Sequence, residues 1–215
     1  MQYDKCERSS TISDYWWRNN HPQGELAAYT FSEGSYFCQR REAVIDLYTR
    51  AFAGAPWFED LSREEVNRRL ESDVSKSGFR ALLAESDNGH MIGAGWYYRP
   101  SIDEIRQRRG DKLAEFAEDK MRKTGVSNLI WEAELMVHPD FQRRGFGTEI
   151  RENFLMERSF KEGEKGVLIL TRMKDDNVGT LKIARRLEFE PTGVRVVSST
   201  FPGQFHQYWY KLIKG

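Results

Sequence analysis

The stretch from Asn128 to Thr171 constrains this chain most. "NLIWEAELMV" has the make-up of a long strand and runs through the bend "HPDFQRRGFG" into "TEIRENFLMERSFKEG", which reads as a helix. That helix leads into "VLILT", a continuous apolar run of the kind found in a buried parallel strand. A strand, a bend rich in arginine and glycine, a helix and a second strand therefore set the middle of the fold.

The flanking elements are read from periodicity and caps. "ELAAYTF", Glu25–Phe31, is the first strand and "SEGS" a loop. "REAVIDLYTRAF" places Val44, Leu47, Tyr48 and Phe52 at helical spacing. "GAPW" stops this helix, because Pro56 pushes Ala55 out of the helical region. Ser62 and Glu65 form a capping box that opens the next helix. "FRALLAE" and "HMIGAGWYY" flank the turn "SDNG" and predict a hairpin. Ser101–Gly125 is a charged insertion carrying Ile102, Ile105, Leu113, Phe116 and Met121, read as an amphipathic helix or a helix pair broken at Gly110, with its charges on a solvated face. "NVGTLKIARRLEF" is a further helix, and "VRVVSS" and "HQYWYKLI" close the chain as strands. The order predicts an α/β chain, a mixed sheet with helices on both faces. Residues 1–24 read as an N-terminal extension pinned by Tyr15–Trp17, and 25–215 as one domain, a length ordinary for a single core.

Composition excludes several classes. With 33 basic and 33 acidic side chains the formal charge is zero, without the cationic excess of a nucleic-acid binder. Cys6 and Cys38 make no CxxC or zinc spacing, and no His, Cys and carboxylate cluster suggests a metal. His138 belongs to the bend, while His90 and His206 flank strands and read as structural or exposed. The start of the chain lacks an apolar leader and no window approaches the roughly 20 apolar residues of a membrane span, so a cytoplasmic protein is expected.

The bend itself suits an anion. A helix start presents backbone N–H groups toward one spot and adds positive potential there. Glycines at 145 and 147 let a phosphate approach that backbone, and Arg143 and Arg144 add charge at the rim. The P-loop pattern fails because Gly147-Thr148-Glu149 has no lysine. The dinucleotide fingerprint fails because Ile150 stands where its third glycine belongs. Gln/Arg-x-x-Gly-x-Gly/Ala remains, and Gln142-Arg143-Arg144-Gly145-Phe146-Gly147 meets it. The blander alternative is an ordinary strand-to-helix turn with glycine caps and solvated arginines.

"ELMVHPDFQRRGFGTEI" resembles the acetyl-CoA-binding motif of the GNAT superfamily of N-acetyltransferases. The likeness in element order covers residues 25–213, is most specific from Glu132 to Thr148, and has weaker support at Asn177–Phe189. It implies a GNAT-like fold, a mixed, mostly antiparallel seven-stranded sheet splayed between its fourth and fifth strands. It also implies acetyl-CoA as co-substrate. The backbone of Met136 and Val137 would pair with the pantetheine arm. Amides from Gln142 through Arg143, Arg144, Gly145, Phe146 and Gly147 to Thr148 would hold the pyrophosphate. Asn177 matches the family's asparagine that contacts the cofactor arm, and is also a good N-cap.

Amide formation needs a neutral amine, and a lysine-like ammonium near pH 7 is short of that by about 4.6 kcal/mol. A carboxylate within reach relieves the deficit. Glu132 and Glu134 alternate along one strand, and the resemblance favours Glu134 as the base with Glu132 second. Either could instead pair with an arginine such as Arg172. Many family members carry a tyrosine acid and a glycine where this chain has Ala184 and Glu188. Tyr208 and Tyr210 are substitutes or packing residues, and since a thiol pKa of about 8.5 leaves the thiolate only ~2 kcal/mol from protonation, water could suffice as acid.

On the acceptor side, "AFAGAPWFED" joins two helices, and "PWxE" resembles a GNAT subset that includes some aminoglycoside-like acetyltransferases. Trp57 beside Glu59 and Asp60 would suit a cationic amine, or Trp57 would plug the helix junction. Tyr97 and Tyr98 could line the same pocket. The expected activity is transfer of acetyl from acetyl-CoA to a primary amine of a small molecule or protein by direct attack. The alternatives are a non-catalytic acyl-CoA-binding sensor and a transferase for another acyl group. The closing strands and the N-terminal aromatics offer surfaces for a homodimer.

Overall fold

The computed structural model describes residues 19–20, 26–32, 34–156, 165–198 and 203–214. Tyr15–Trp17, Cys6 and the expected continuation of the central helix through 157–163 lie outside the described residues. Among the described residues the strands are β1 Asn19–Asn20, β2 Leu26–Ser32, β3 Arg80–Ser86, β4 Met91–Tyr98, β5 Asn128–Val137, β6 Gly166–Lys174, β7 Glu190–Val197 and β8 Phe205–Lys214. The helices are α1 Ser35–Gln39, α2 Arg41–Ala53, α3 Arg63–Val74, α4 Ile102–Arg109, α5 Asp111–Thr124, α6 Phe146–Met156 and α7 Val178–Arg186, with a 3-10 turn at Pro139–Phe141. The seven expected strands are present, and the two-residue β1 adds an eighth. Strand order is β1-β2-β3-β4-β5-β6-β8-β7.

The chain forms two compact units, and β5 passes from one to the other. The first contains the described residues up to Tyr97 together with Glu134–Met156. Here β2, β3 and β4 pair antiparallel. The N–H of His138 donates to the Ile92 carbonyl at 2.8 Å, tying the chain that leaves β5 to β4. The apolar stripe of α2 buries Val44, Ile45, Leu47, Tyr48 and Phe52, as its periodicity predicts. The capping box is formed: the Glu65 N–H donates to Ser62 Oγ at 3.2 Å, and the Ser62 N–H to the Glu65 carboxylate at 2.9 Å. Trp96 is fully buried and donates through Nε1 to Asp73 Oδ2 at 3.0 Å, which fixes the end of α3 to β4. The short helix α1, unforeseen in the sequence, sets Phe37 edge-on to Trp96 at 5.6 Å.

Two glycines let α6 lie directly on β4. A Cβ at Gly93 would come within 2.6 Å of Ile150 Cδ1 and 2.9 Å of the Met136 carbonyl oxygen. One at Gly95 would meet Phe154 at 2.5 Å and the Glu134 carbonyl oxygen at 3.0 Å. Such contacts are below van der Waals separation, so β4 can only sit this close without side chains at these two positions.

The second unit joins Tyr98–Ala133 to the described residues from Lys165 on. β5 runs parallel to β6 from Asn128↔Val167 to Glu132↔Thr171, where their pairing ends, although β5 continues to Val137 and β6 to Lys174. β8 pairs antiparallel with both β6 and β7, so the last strand of the chain inserts between them. The insertion is a helix pair broken at Gly110, whose φ of 95° suits glycine. Its Ile105, Leu113, Ala114 and Ala117 pack with Trp131, Leu168, Leu170, Tyr208 and Tyr210. Lys120 Nζ donates to the Tyr210 hydroxyl at 2.6 Å, while Lys211 Nζ donates to the Leu187 carbonyl at the end of α7 at 2.7 Å. Consecutive strand residues face opposite sides. The insertion and α7 therefore cover opposite faces of β8.

Candidate active site

The bend after β5 is built by short-range bonds. His138 Nδ1 accepts from the Asp140 N–H at 3.3 Å, Pro139 opens the 3-10 turn, and the Phe141 N–H donates to the His138 carbonyl at 2.9 Å. Gln142 Nε2 donates to the Val137 carbonyl at 3.1 Å, folding the bend back on the strand. A carbonyl has two lone pairs, so Val137 keeps capacity for a second donor. The Gly145 carbonyl accepts from the N–H groups of Thr148 at 2.9 Å and Glu149 at 3.1 Å. These are the first bonds of α6, and the amides ahead of Thr148 precede any carbonyl of the helix that could receive them. The positive end of the helix dipole lies at the same place.

Gly145 takes φ 97°, as a glycine there should, whereas Gly147 lies in the first helical turn. Arg143 adopts φ 63°, a left-handed conformation that no glycine or asparagine signals at this position, at a cost of about 1–2 kcal/mol. Strain of this kind concentrates where a backbone is shaped for a ligand. Arg143 is exposed, and the Arg144 guanidinium lies 5.4 Å from the centre of the Phe141 ring.

A second arrangement in the same unit surrounds Glu134. The Tyr48 hydroxyl, from α2, donates to Glu134 Oε1 at 3.2 Å. Arg69 Nη1, from α3, donates to the Tyr48 oxygen at 3.1 Å and to Glu59 Oε2 at 3.0 Å. Burial, and then the Glu134 charge, push the Tyr48 phenol well above its ordinary value, so it keeps its proton. Burial pulls Arg69 down, but Tyr48 and Glu59 outweigh it and the net shift is upward.

Two residues expected at the site, Glu134 and Glu59, are thus brought together through two that sequence reasoning passed over. Helical spacing marks Tyr48 only as a core position of α2. The available signal was its hydroxyl, which a buried tyrosine must satisfy. Glu59 is turned toward Arg69, with its side chain 13% exposed. Trp57 is half-buried, its ring 5.3 Å from Phe52. Between them Phe58 is 68% exposed and has φ 47°. The N–H groups of Trp57 and Phe58 both donate to the Gly54 carbonyl, and that of Glu59 to Phe52, so the loop is held while the Phe58 ring faces outward. Tyr97 is buried, edge-on to Phe154 at 5.5 Å.

The remaining expected residues belong to the second unit. Glu132 is buried beside Thr171 in the parallel ladder. Asn177 Oδ1 accepts from the Thr180 N–H at 3.1 Å and caps α7. Ala184 is fully buried. The Tyr210 hydroxyl is engaged by Lys120 and Glu190, and Tyr208 packs 6.0 Å from Trp131. Among the described residues no group of three or more His, Cys, Asp or Glu is placed to hold a metal ion, and no helix is long and apolar enough to cross a membrane.

Known proteins resemble this chain in family profile and in fold. The profile of the acetyltransferase (GNAT) family matches residues 41–189, more than half of the chain. The fold is similar to that of the ribosomal-protein-S18-alanine N-acetyltransferase from Escherichia coli, with a TM-score of 0.58 at 14% identity over 87% of this chain and 95% of that one. It is also similar to a mosquito arylalkylamine N-acetyltransferase-like protein, with a TM-score of 0.56 at 16% identity over 87% of this chain and 100% of that one. An agmatine N-acetyltransferase gives 0.53 at 14% identity, over 86% and 99% of the two chains. No curated protein matches the chain by sequence. With the family profile running from α2 to the end of α7 and its borders, the chain belongs to the acetyltransferase (GNAT) family.

Proposed function

We propose that this protein transfers the acetyl group of acetyl-CoA to a primary amine by direct attack, with Glu134 as general base. The observation that carries the proposal is the bend between β5 and α6. Left-handed backbone at Arg143 and Gly145, a helix start capped by the Gly145 carbonyl, and two arginines meet within four residues. That is a fit for a pyrophosphate. In this assignment the amides between Gln142 and Thr148 take the phosphates, since the Gln142 N–H donates to the Pro139 carbonyl at 3.3 Å and that of Thr148 to Gly145 at 2.9 Å, and the backbone of Met136 and Val137 takes the pantetheine arm. Asn177 and Glu132 keep secondary roles, as a cofactor contact and an alternative base.

The reaction balances simply. The amine nitrogen forms a bond to the thioester carbonyl carbon, the carbon–sulfur bond breaks, and the amine proton goes to Glu134. The thiolate leaves with water as proton source, because Ala184 has no group to donate. The acceptor is a small-molecule or protein amine, and the exposed Phe58 beside Trp57 gives its apolar part a surface to rest on.

Labelled acetyl-CoA offered with polyamines, amino acids, aminoglycosides and peptide N-termini tests this. Label should pass to at least one amine with release of CoA thiol, and Glu134→Gln should cut turnover about a hundred-fold or more while acetyl-CoA still binds. Binding without transfer to any amine, unaffected by Glu134→Gln, would make the protein an acyl-CoA sensor instead.

A further inference from the structure

We propose that Tyr48 is a positioning residue for Glu134, and that Arg69, held by Glu59, commits the Tyr48 proton to that carboxylate. The proposal rests on the assignment of Glu134 as base, and it stands on the geometry of four side chains in one unit.

A phenol has one proton and two lone pairs, and a guanidinium donates but never accepts. Arg69 Nη1 approaches the Tyr48 oxygen at 3.1 Å, so the hydroxyl proton cannot point toward Arg69. Glu134 Oε1, at 3.2 Å, receives it. Arg69 in turn is anchored by Glu59, whose own backbone N–H is fixed to the Phe52 carbonyl at 2.9 Å. The Tyr48 ring cannot swing away. It stacks on Trp96 with ring centres 6.3 Å apart and lies 4.4 Å from Phe52, and Trp96 is itself bonded to Asp73. The direction of the chain of bonds is therefore set from Glu59 through Arg69 and Tyr48 to Glu134.

The consequence for the base is specific. A hydrogen bond to a carboxylate is stronger when the carboxylate is charged, so Tyr48 favours the ionised form of Glu134 that can receive a proton. It also fixes one oxygen, leaving the orientation of the other defined. Charged and titratable groups reach this carboxylate from each flanking element of the unit: Tyr48 from α2 directly, and behind it Arg69 from α3 and Glu59 from the loop between them.

Carboxyl 13C NMR of glutamate-labelled protein reads the coupling without any acceptor, with the Glu134 signal identified by its loss in Glu134→Gln. Tyr48→Phe should raise the midpoint of that titration by about one pH unit, and Arg69→Met, which frees the hydroxyl to turn, should raise it by a smaller amount. In turnover with the best amine from the panel, Tyr48→Phe should lower kcat about ten-fold, move the acid limb upward, and leave KM for acetyl-CoA within about two-fold. Arg69→Lys, which can still donate to both oxygens, should recover most of the loss seen in Arg69→Met. A midpoint unmoved to within about 0.2 pH units in both variants overturns the proposal, as does an equal loss of kcat at every pH. If Glu134→Gln leaves turnover intact, the assignment of the base fails instead, and the NMR result decides the coupling by itself.

Discussion

The N–H of Phe189 donates to the carbonyl of Ala184 across 2.9 Å, and that of Glu188 to Arg185 across 3.1 Å, closing α7 with a two-bond cap. Such a cap needs a left-handed residue after the helix, and Glu188 fills it at φ 58°. Glycine is what this position favours, having no Cβ to clash at positive φ.

Glu188→Gly should therefore stabilise the protein by about 1 kcal/mol, raising Tm by roughly 2–4 °C. Loss of the Lys211–Glu188 pair offsets little, because the Glu188 side chain is 86% exposed and Lys211 keeps its bond to the Leu187 carbonyl. Thermal unfolding by circular dichroism reads the change, and a fall in Tm would mean the ion pair matters more than the backbone.

Gly95→Ala should act in the opposite sense. The new methyl would press on Phe154 and on the Glu134 carbonyl at once, so a loss of about 1–3 kcal/mol is expected. Since α6 must shift to make room, affinity for acetyl-CoA should drop with it. Gly54→Ala, where nothing lies within 4 Å and φ is -91°, is the control and should change stability by less than about 0.5 kcal/mol.

Much of this architecture was legible in the sequence, for local reasons. Ser62 with Glu65, the glycine turn between β3 and β4, and the stripe of α2 each encode an element within a few residues. The helix α1 was not, since Ser35–Gln39 is five residues long with no side-chain cap and shows no period. The insertion of β8 between β6 and β7 depends on pairing, which order along the chain does not reveal. At the candidate site, the turn proposed to hold phosphate is contiguous and is legible as a motif. Tyr48 and Glu134 are far apart in sequence, and helical spacing marks a residue as buried without saying what its hydroxyl meets. The left-handed Arg143 is not legible because glycine is the usual signal for that conformation.

Acid should weaken the second unit through His206. Burial, followed by the charges of Arg172 and Lys174, lowers its pKa from 6.5 to about 4, against the opposing pull of Asp175 and Asp176. Between those values the unfolded chain binds more protons than the folded one, so stability is complete above 6.5 and declines as pH falls toward 4. The slope from this one residue cannot exceed about 1.4 kcal/mol per pH unit. Urea titrations from neutral to acid pH should show a shallower decline in His206→Gln than in the parent. Equal slopes would assign the acid sensitivity to other groups.

Calorimetric titration with acetyl-CoA bears most directly on the proposal that the bend before α6 binds phosphate. Saturable heat at a single site is predicted, weakened about ten-fold or more by Gly145→Val, whose side chain disfavours φ 97° and crowds the approach to the helix start. Absence of heat at millimolar acetyl-CoA, or an affinity indifferent to Gly145→Val, would contradict the account.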